Sequence, residues 1–289
     1  MVYFYLVLQQ IIGSSTHLVA QDASQHVDPS FLLLLRAGGA SIIFTVLLWV
    51  TEKKWNIFHR IQREDYGRLF LLGLLNVPMN QLLYLHGVRY TTPANAALLY
   101  AMTPAMVFVF TLIVHSERPS WKKILGIGMA FIGAGIIMFE RGAELRAEHT
   151  VGNILIFIAV IAWSLFTMFG RPLVLKYGAL YVTAINMILG TILYFPFGFL
   201  TMGGSSIGAL TAQSWLEVFY LALFASVLNY LLWYAALVKL EATRVAIFQN
   251  LQPIITTILA LYFERAVITA QFIGGGSLAL LGVLVVELA

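Results

Sequence analysis

Apolar residues run along this chain in blocks of about twenty, and the charged residues collect between the blocks. Ten blocks can be drawn, near 2–21, 31–51, 67–87, 93–114, 121–139, 151–170, 179–202, 213–236, 241–263 and 267–287. Each is long enough for a helix that crosses a bilayer, which needs about 20 predominantly apolar residues. The connections are short, and no soluble domain fits between any two blocks. The pattern predicts an all-α integral membrane protein with ten transmembrane helices.

Composition agrees. Hydrophobic residues make up 60 % of the 289 and charged residues 10 %, against about 25 % charged in a soluble domain. So few charges could not cover a soluble surface. The chain has no cysteine, which excludes disulfides, thiolate catalysis and cysteine-based metal sites. The N-terminal "MVYFYLVLQQIIGSSTHLVA" has no charged leader and no clear cleavage site. It reads as a first spanning helix and not as a removable signal. Lys and Arg sort by loop. Even-numbered loops carry Lys53, Lys54, Arg60, Arg63, Arg68, Arg118, Lys122, Lys123, Arg171, Lys176, Lys239 and Arg244; odd-numbered loops carry Arg89, Arg141, Arg146 and Arg265. That bias predicts both termini on the cytoplasmic side of a cell inner membrane.

An internal repeat is visible at a shift of 149. "NQLLYLHGVRYTTPANAALLYAMTP" (80–104) then lies without a gap on "NYLLWYAALVKLEATRVAIFQNLQP" (229–253). Asn80 meets Asn229, Ala97 meets Ala246 and Pro104 meets Pro253. Halves 1–149 and 150–289 would hold five helices each. An odd number makes them face opposite ways, an inverted repeat with its binding site at the midplane.

Several motifs also carry a family likeness: "LLRAGGA" opening the second helix, "TTPANAALLYAMTPAM" in the fourth, a helix-ending glutamate, and glycine-rich fifth and tenth helices. With five helices per half, the chain resembles the drug/metabolite transporter superfamily, specifically its EamA-type members. The resemblance implies a ten-helix secondary transporter, often an exporter, around a central cavity. It implies no particular substrate.

The polar residues inside the apolar blocks are the candidate chemistry. On a helix Asn76, Asn80 and Tyr84 share one face, with Gln81 at its border. Pro78 frees a backbone carbonyl one turn earlier. Asn229 and Trp233 hold the repeat positions of Asn80 and Tyr84, with Tyr230 and Tyr234 beside them. In the first helix Gln10, Ser14 and His17 share a face; the sixth offers Trp163 and Thr167. Tyr100 and Thr103 match Gln249 and Gln252, and the matched Pro104 and Pro253 interrupt both helices just beyond. Interrupted helices at corresponding positions point to a transporter's binding site. Each stripe has two readings, a cavity wall or hydrogen-bonded glue between helices. The substrate-binding set under the first reading is His17, Asn76, Asn80, Tyr84, Tyr100, Trp163, Asn229, Trp233, Tyr234, Gln249 and Gln252.

Other residues read as structure. Gly126, Ala130 and Ala134 form one stripe, and Gly275, Ala279 and Gly282 another, for close helix packing or a dimer contact. Arg36 reads first as snorkelling to the surface, and second as the holder of a carboxylate. Glu117 and Glu264, which close the fourth and ninth helices, read as facing the interface.

No nucleotide-binding loop, catalytic group, metal site or cofactor is expected. The leading function is secondary transport of small amphipathic metabolites such as amino acids, by alternating access. The partners are a small-molecule substrate and the lipid bilayer, with no nucleic acid, the unit being a monomer or homodimer. An intramembrane enzyme would need paired acids or a histidine cluster at the membrane centre, and none is seen. A non-transporting membrane scaffold is the second alternative.

Overall fold

The structure is a computed structural model that describes residues 1–53, 60–140, 147–201, 208, 210–255, 258 and 269–289. Glu264, Arg265, Arg141, Arg146 and Lys54 lie outside the described residues. All the described elements are helical, with no strand among them.

Eight helices among the described residues are long and apolar enough to cross a membrane. In chain order α1 is Val2–His26, α2 Pro29–Glu52, α3 the run Arg63–Arg89, and α4 two pieces, Pro93–Tyr100 and Thr103–Ile113. Then follow α5 (Trp121–Glu140), α6 (Thr150–Tyr177), α7 (Ala179–Thr201) and α8, the run Ala212–Leu237. The last are α9, Ala242–Ala246 with a 3-10 turn over Ile247–Leu251, and α10, Ala270–Glu287. Two of the ten predicted windows fall outside the eight. The 25-residue α1 is long enough, but Gln9, Gln10, Ser14 and His17 dilute its apolarity. The described part of the ninth window is not one continuous α-helix.

Local chemistry explains the starts and breaks. Asp28 caps α2, its carboxylate accepting from Ser30 N (2.9 Å) and Phe31 N (3.3 Å), with Pro29 in the first turn. Thr92, Thr211 and Thr269 cap α4, α8 and α10 in the same way. Such caps satisfy amide hydrogens that the first turn leaves unpaired. Pro104 has no N–H for Tyr100 O, and α4 divides at Ala101–Met102 just before it. Pro253 stands in the same relation to Gln249, and there α9 tightens to 3-10 geometry. The middles of α3 and α8 widen to π-helix, over Leu75–Gln81 and Leu221–Leu228. Pro78 lies inside the first of these.

Packing follows the small residues. α5 and α10 run along each other with their backbones almost touching. A Cβ added to Gly133 would lie 2.5 Å from Gly275 O, and one added to Gly282 would lie 2.5 Å from Gly126 O. Ala130, Ala134 and Ala279 are fully buried in this seam. The stripe left open between scaffold and dimer contact is thus used within the chain. Elsewhere α7 lies on α2 and α3, α2 also lies on the π segment of α8, and α6 lies on α3. The outer surface is apolar: Ile42, Val46, Phe195, Phe199, Leu216 and Leu281 are exposed. An apolar exterior around a partly polar interior matches a protein solvated by lipid.

Glu117 differs from its expectation. It is buried, and its carboxylate accepts from Lys123 Nζ (2.7 Å) and from the backbone N of Thr243 (3.0 Å). It ties the end of α4 to the first turns of α5 and α9. A buried carboxylate needs such partners.

Candidate functional site

Seven elements turn polar faces to one central, partly open cavity. From α1 come Gln9, Thr16 and His17, from α2 Arg36, and from α3 Asn80, Gln81 and Tyr84. The same wall holds Trp163 of α6, Asn229 and Tyr230 of α8, Gln249 of α9, Gln252 just after it, and Tyr100 of α4. Gly13 belongs here for a steric reason: a Cβ would lie 2.6 Å from Gln252 Nε2, so glycine lets that side chain in.

Asn80 is the most heavily used amide. Its nitrogen donates to the Tyr100 hydroxyl (2.8 Å) and to Ala159 O (2.9 Å), and its oxygen accepts from the Tyr230 hydroxyl (3.3 Å). With both ends occupied it positions two phenols. A second chain runs through His17. Gln252 Oε1 accepts from His17 Nε2 (3.1 Å), which leaves Nδ1 bare to accept from the Tyr84 hydroxyl (2.7 Å). Gln249 forms the third node. With its nitrogen toward Tyr100 O and Thr103 Oγ1 and its oxygen toward Trp163 Nε1, all three neighbours are satisfied. The Tyr100 carbonyl that Pro104 leaves without a helical partner is thus held by Gln249.

Rings supply the apolar wall. Trp163 lies edge-on to Tyr230 with centroids 5.2 Å apart, and 5.4 Å from Phe166 in a stacked pair. Tyr84 and Tyr100 meet edge to face at 5.8 Å.

Of the predicted set, His17, Asn80, Tyr84, Tyr100, Trp163, Asn229, Gln249 and Gln252 stand on this wall. Asn76, Trp233 and Tyr234 do not. Asn76 donates to Asn186 Oδ1 (2.7 Å) and accepts from Gln81 Nε2 (2.9 Å), a closed contact between α3 and α7. Trp233 Nε1 donates to Thr167 Oγ1 (3.1 Å), joining α8 to α6 behind the wall. Tyr234 is fully buried and stacks on Phe166 at 4.9 Å. Each satisfies its polar atom inside the packing, where the shape of neighbouring helices outweighs the helical face.

Arg36 is the main departure. It is 4 % exposed and lies on the cavity wall, so it does not snorkel. Nε donates to Ser226 Oγ (2.7 Å), while Nη1 is buried without a partner among the described residues. Asn229 Oδ1 is also buried without a partner among the described residues. The signal for Arg36 was its position, several residues inside an apolar block.

These features define a multi-pass helical membrane protein with a polar cavity at its centre. The sequence pattern of the EamA-like transporter family matches residues 1–139 and again 150–288. The chain belongs to that family, within the drug/metabolite transporter superfamily. An uncharacterized transporter of Bacillus subtilis, YyaM, is 26 % identical over 287 residues, covering 98 % of this chain and 92 % of its own. An uncharacterized transporter of Archaeoglobus fulgidus is 26 % identical over 265 residues, covering 90 % and 89 %. A solved crystal structure shares the fold with a TM-score of 0.78 at 14 % identity, covering 99 % of this chain and 95 % of that one.

Proposed function

We propose that this protein is a secondary transporter that exports small amphipathic metabolites, amino acids among them, by alternating access through the central cavity. The observation that carries this reading is the wall itself, where phenols, amides and indole from six elements converge on one space. Amides and hydroxyls suit polar solute groups, and rings cover an apolar body. The donor left open on Arg36 and the acceptor on Asn229 match the carboxylate and the amino group of an amino acid.

The architecture belongs to the same proposal: ten spans, as two inverted five-helix halves, 1–149 and 150–289, with both ends in the cytoplasm of a cell inner membrane. Paired contacts support it. His17 bonds Tyr84, and Thr167 bonds Trp233, at positions 149 or 150 residues further on. Gly126 faces Gly282, while Gly275 faces Gly133, again 149 residues apart. Contacts that exchange under one shift are those a two-fold axis between halves would produce. The family match to each half adds to them.

Two experiments test the proposal. Uptake of radiolabelled amino acids and small carboxylates into proteoliposomes should exceed empty vesicles, and flux no greater than the empty-vesicle rate for the whole panel sinks transport. Reporter fusions should read external at Thr150 and cytoplasmic at Ala289. An external signal at Ala289 removes the inverted arrangement.

A further inference from the structure

This chain shows how it treats a buried cation when the cation is structural. The Lys123 side chain is 5 % exposed, and its ammonium lies 2.7 Å from Glu117 and 2.6 Å from Glu241. Two carboxylates answer one positive charge. Arg36 is buried as deeply, at 4 % exposure, and no described residue forms an ion pair with it. Among the described residues lining the cavity there is no aspartate or glutamate. A guanidinium does not lose its proton in a protein. The cavity therefore carries a permanent positive charge, and removing an ion from water without a counter-charge is costly.

The geometry says what form the missing counter-charge takes. Ser226, in the π segment of α8, holds Nε and fixes the plane of the guanidinium. Nη1 has no partner among the described residues. A carboxylate accepts two parallel N–H bonds from such a planar fork, and the pairing is stronger than one between neutral groups. The rings of Trp163 and Tyr230 line the same space. We propose that Arg36 is the anion-recognition element of the cavity, and that the solutes it takes carry a carboxylate on an apolar or ring-bearing body. A zwitterionic amino acid qualifies by its carboxylate; an organic cation does not qualify. The inference rests on the cavity being the solute site of the proposed transporter and narrows its substrate class.

Binding to purified protein in detergent tests the inference apart from transport. The probes are phenylacetate, its uncharged isostere phenylacetamide, and phenethylamine, followed by tryptophan fluorescence and by shift of the melting temperature. Wild type should bind phenylacetate about 10- to 100-fold more tightly than phenylacetamide, and phenethylamine most weakly. Arg36→Gln should abolish the preference while the amide binds as before. Arg36→Lys should keep part of it, since the charge remains without the fork. Without any probe Arg36→Gln should melt no lower than wild type, because it removes an uncompensated charge. Phenylacetate that binds no better than the amide to wild type overturns the inference, as does a preference that survives in Arg36→Gln. Should that variant fail to fold, Ser226→Ala replaces it: a few-fold loss of phenylacetate affinity supports the inference, and no change overturns it. Proteoliposome flux is read separately. An Arg36-dependent preference without flux sinks the transport reading and leaves the anion site standing.

Discussion

Two contacts in this molecule have the same plan and opposite contents. In one, Arg36 of α2 donates to Ser226 of α8 at 2.7 Å. In the other, Asn76 of α3 donates to Asn186 of α7 at 2.7 Å. Residue 186 stands 150 positions after 36, and 226 stands 150 after 76. The asparagine pair is closed: Gln81 takes the Asn76 oxygen, and Asn186 donates onward to Val182 O at 2.6 Å. The arginine contact is open, with Nη1 unpaired among the described residues and Arg36 on the cavity wall. One scaffold position thus serves as glue between helices in one place and presents a charge in the other. A buried polar residue at a repeat-related position says little about role until its remaining hydrogen bonds are counted.

The comparison can be broken at its open end first. Arg36→Asn makes the two contacts chemically alike. Proteoliposome uptake of a carboxylate substrate should fall about 10- to 100-fold at low concentration, the loss expected for a charge-assisted bond. Its melting temperature should not fall. An unimpaired uptake would return Arg36 to the class of packing residues.

The closed end should respond in the opposite sense. Asn186→Leu leaves the Asn76 amide buried without its acceptor and should cost about 1–3 kcal/mol of stability. Substrate affinity should stay within error of wild type. The double variant Asn76→Leu, Asn186→Leu should recover part of the loss, because replacing both partners removes the unsatisfied group. Thermal unfolding in detergent reads both.

Smaller effects sharpen the wall between these ends. Tyr84→Phe removes the bond to His17, and Asn80→Ala frees the hydroxyls of Tyr100 and Tyr230. Each should weaken apparent affinity by a few-fold to about tenfold, or about 0.5–1.5 kcal/mol. Variants that lose stability while the folded fraction transports unchanged would make this stretch packing.

The smallest effect tests the paired cation against the unpaired one. The hydrogen bond from Lys123 holds the Glu241 carboxyl below the usual carboxylate range. Its contribution is therefore present above the unfolded carboxylate value, about 4.3, and is lost as pH falls below it. With its side chain 43 % exposed, the pair is screened and should be worth under about 1 kcal/mol. Glu241→Gln should lower the melting temperature slightly at pH 7 and by less at pH 3. An equal loss at both values would mean that shape and not charge is at work.

Much of this was legible in the sequence because it is local. The length and apolarity of eight helices, the breaks before Pro104 and Pro253, and the glycines of α5 and α10 all follow from near neighbours in the chain. The face shared by Asn80 and Tyr84 also follows, since helical periodicity needs no partner. What periodicity could not do was separate Asn76 from Asn80. They lie one turn apart, yet Asn186 of α7 closes off the first, while Tyr100 and Tyr230 hold the second at the cavity. The direction of Arg36 had the same cause. A long guanidinium can reach for water or turn inward, and only the packing of α8 set Ser226 within 2.7 Å of it. A sequence determines which residues must be buried and where its helices break. The tertiary structure decides which buried polar atoms find partners, because those partners stand more than a hundred residues away in the chain.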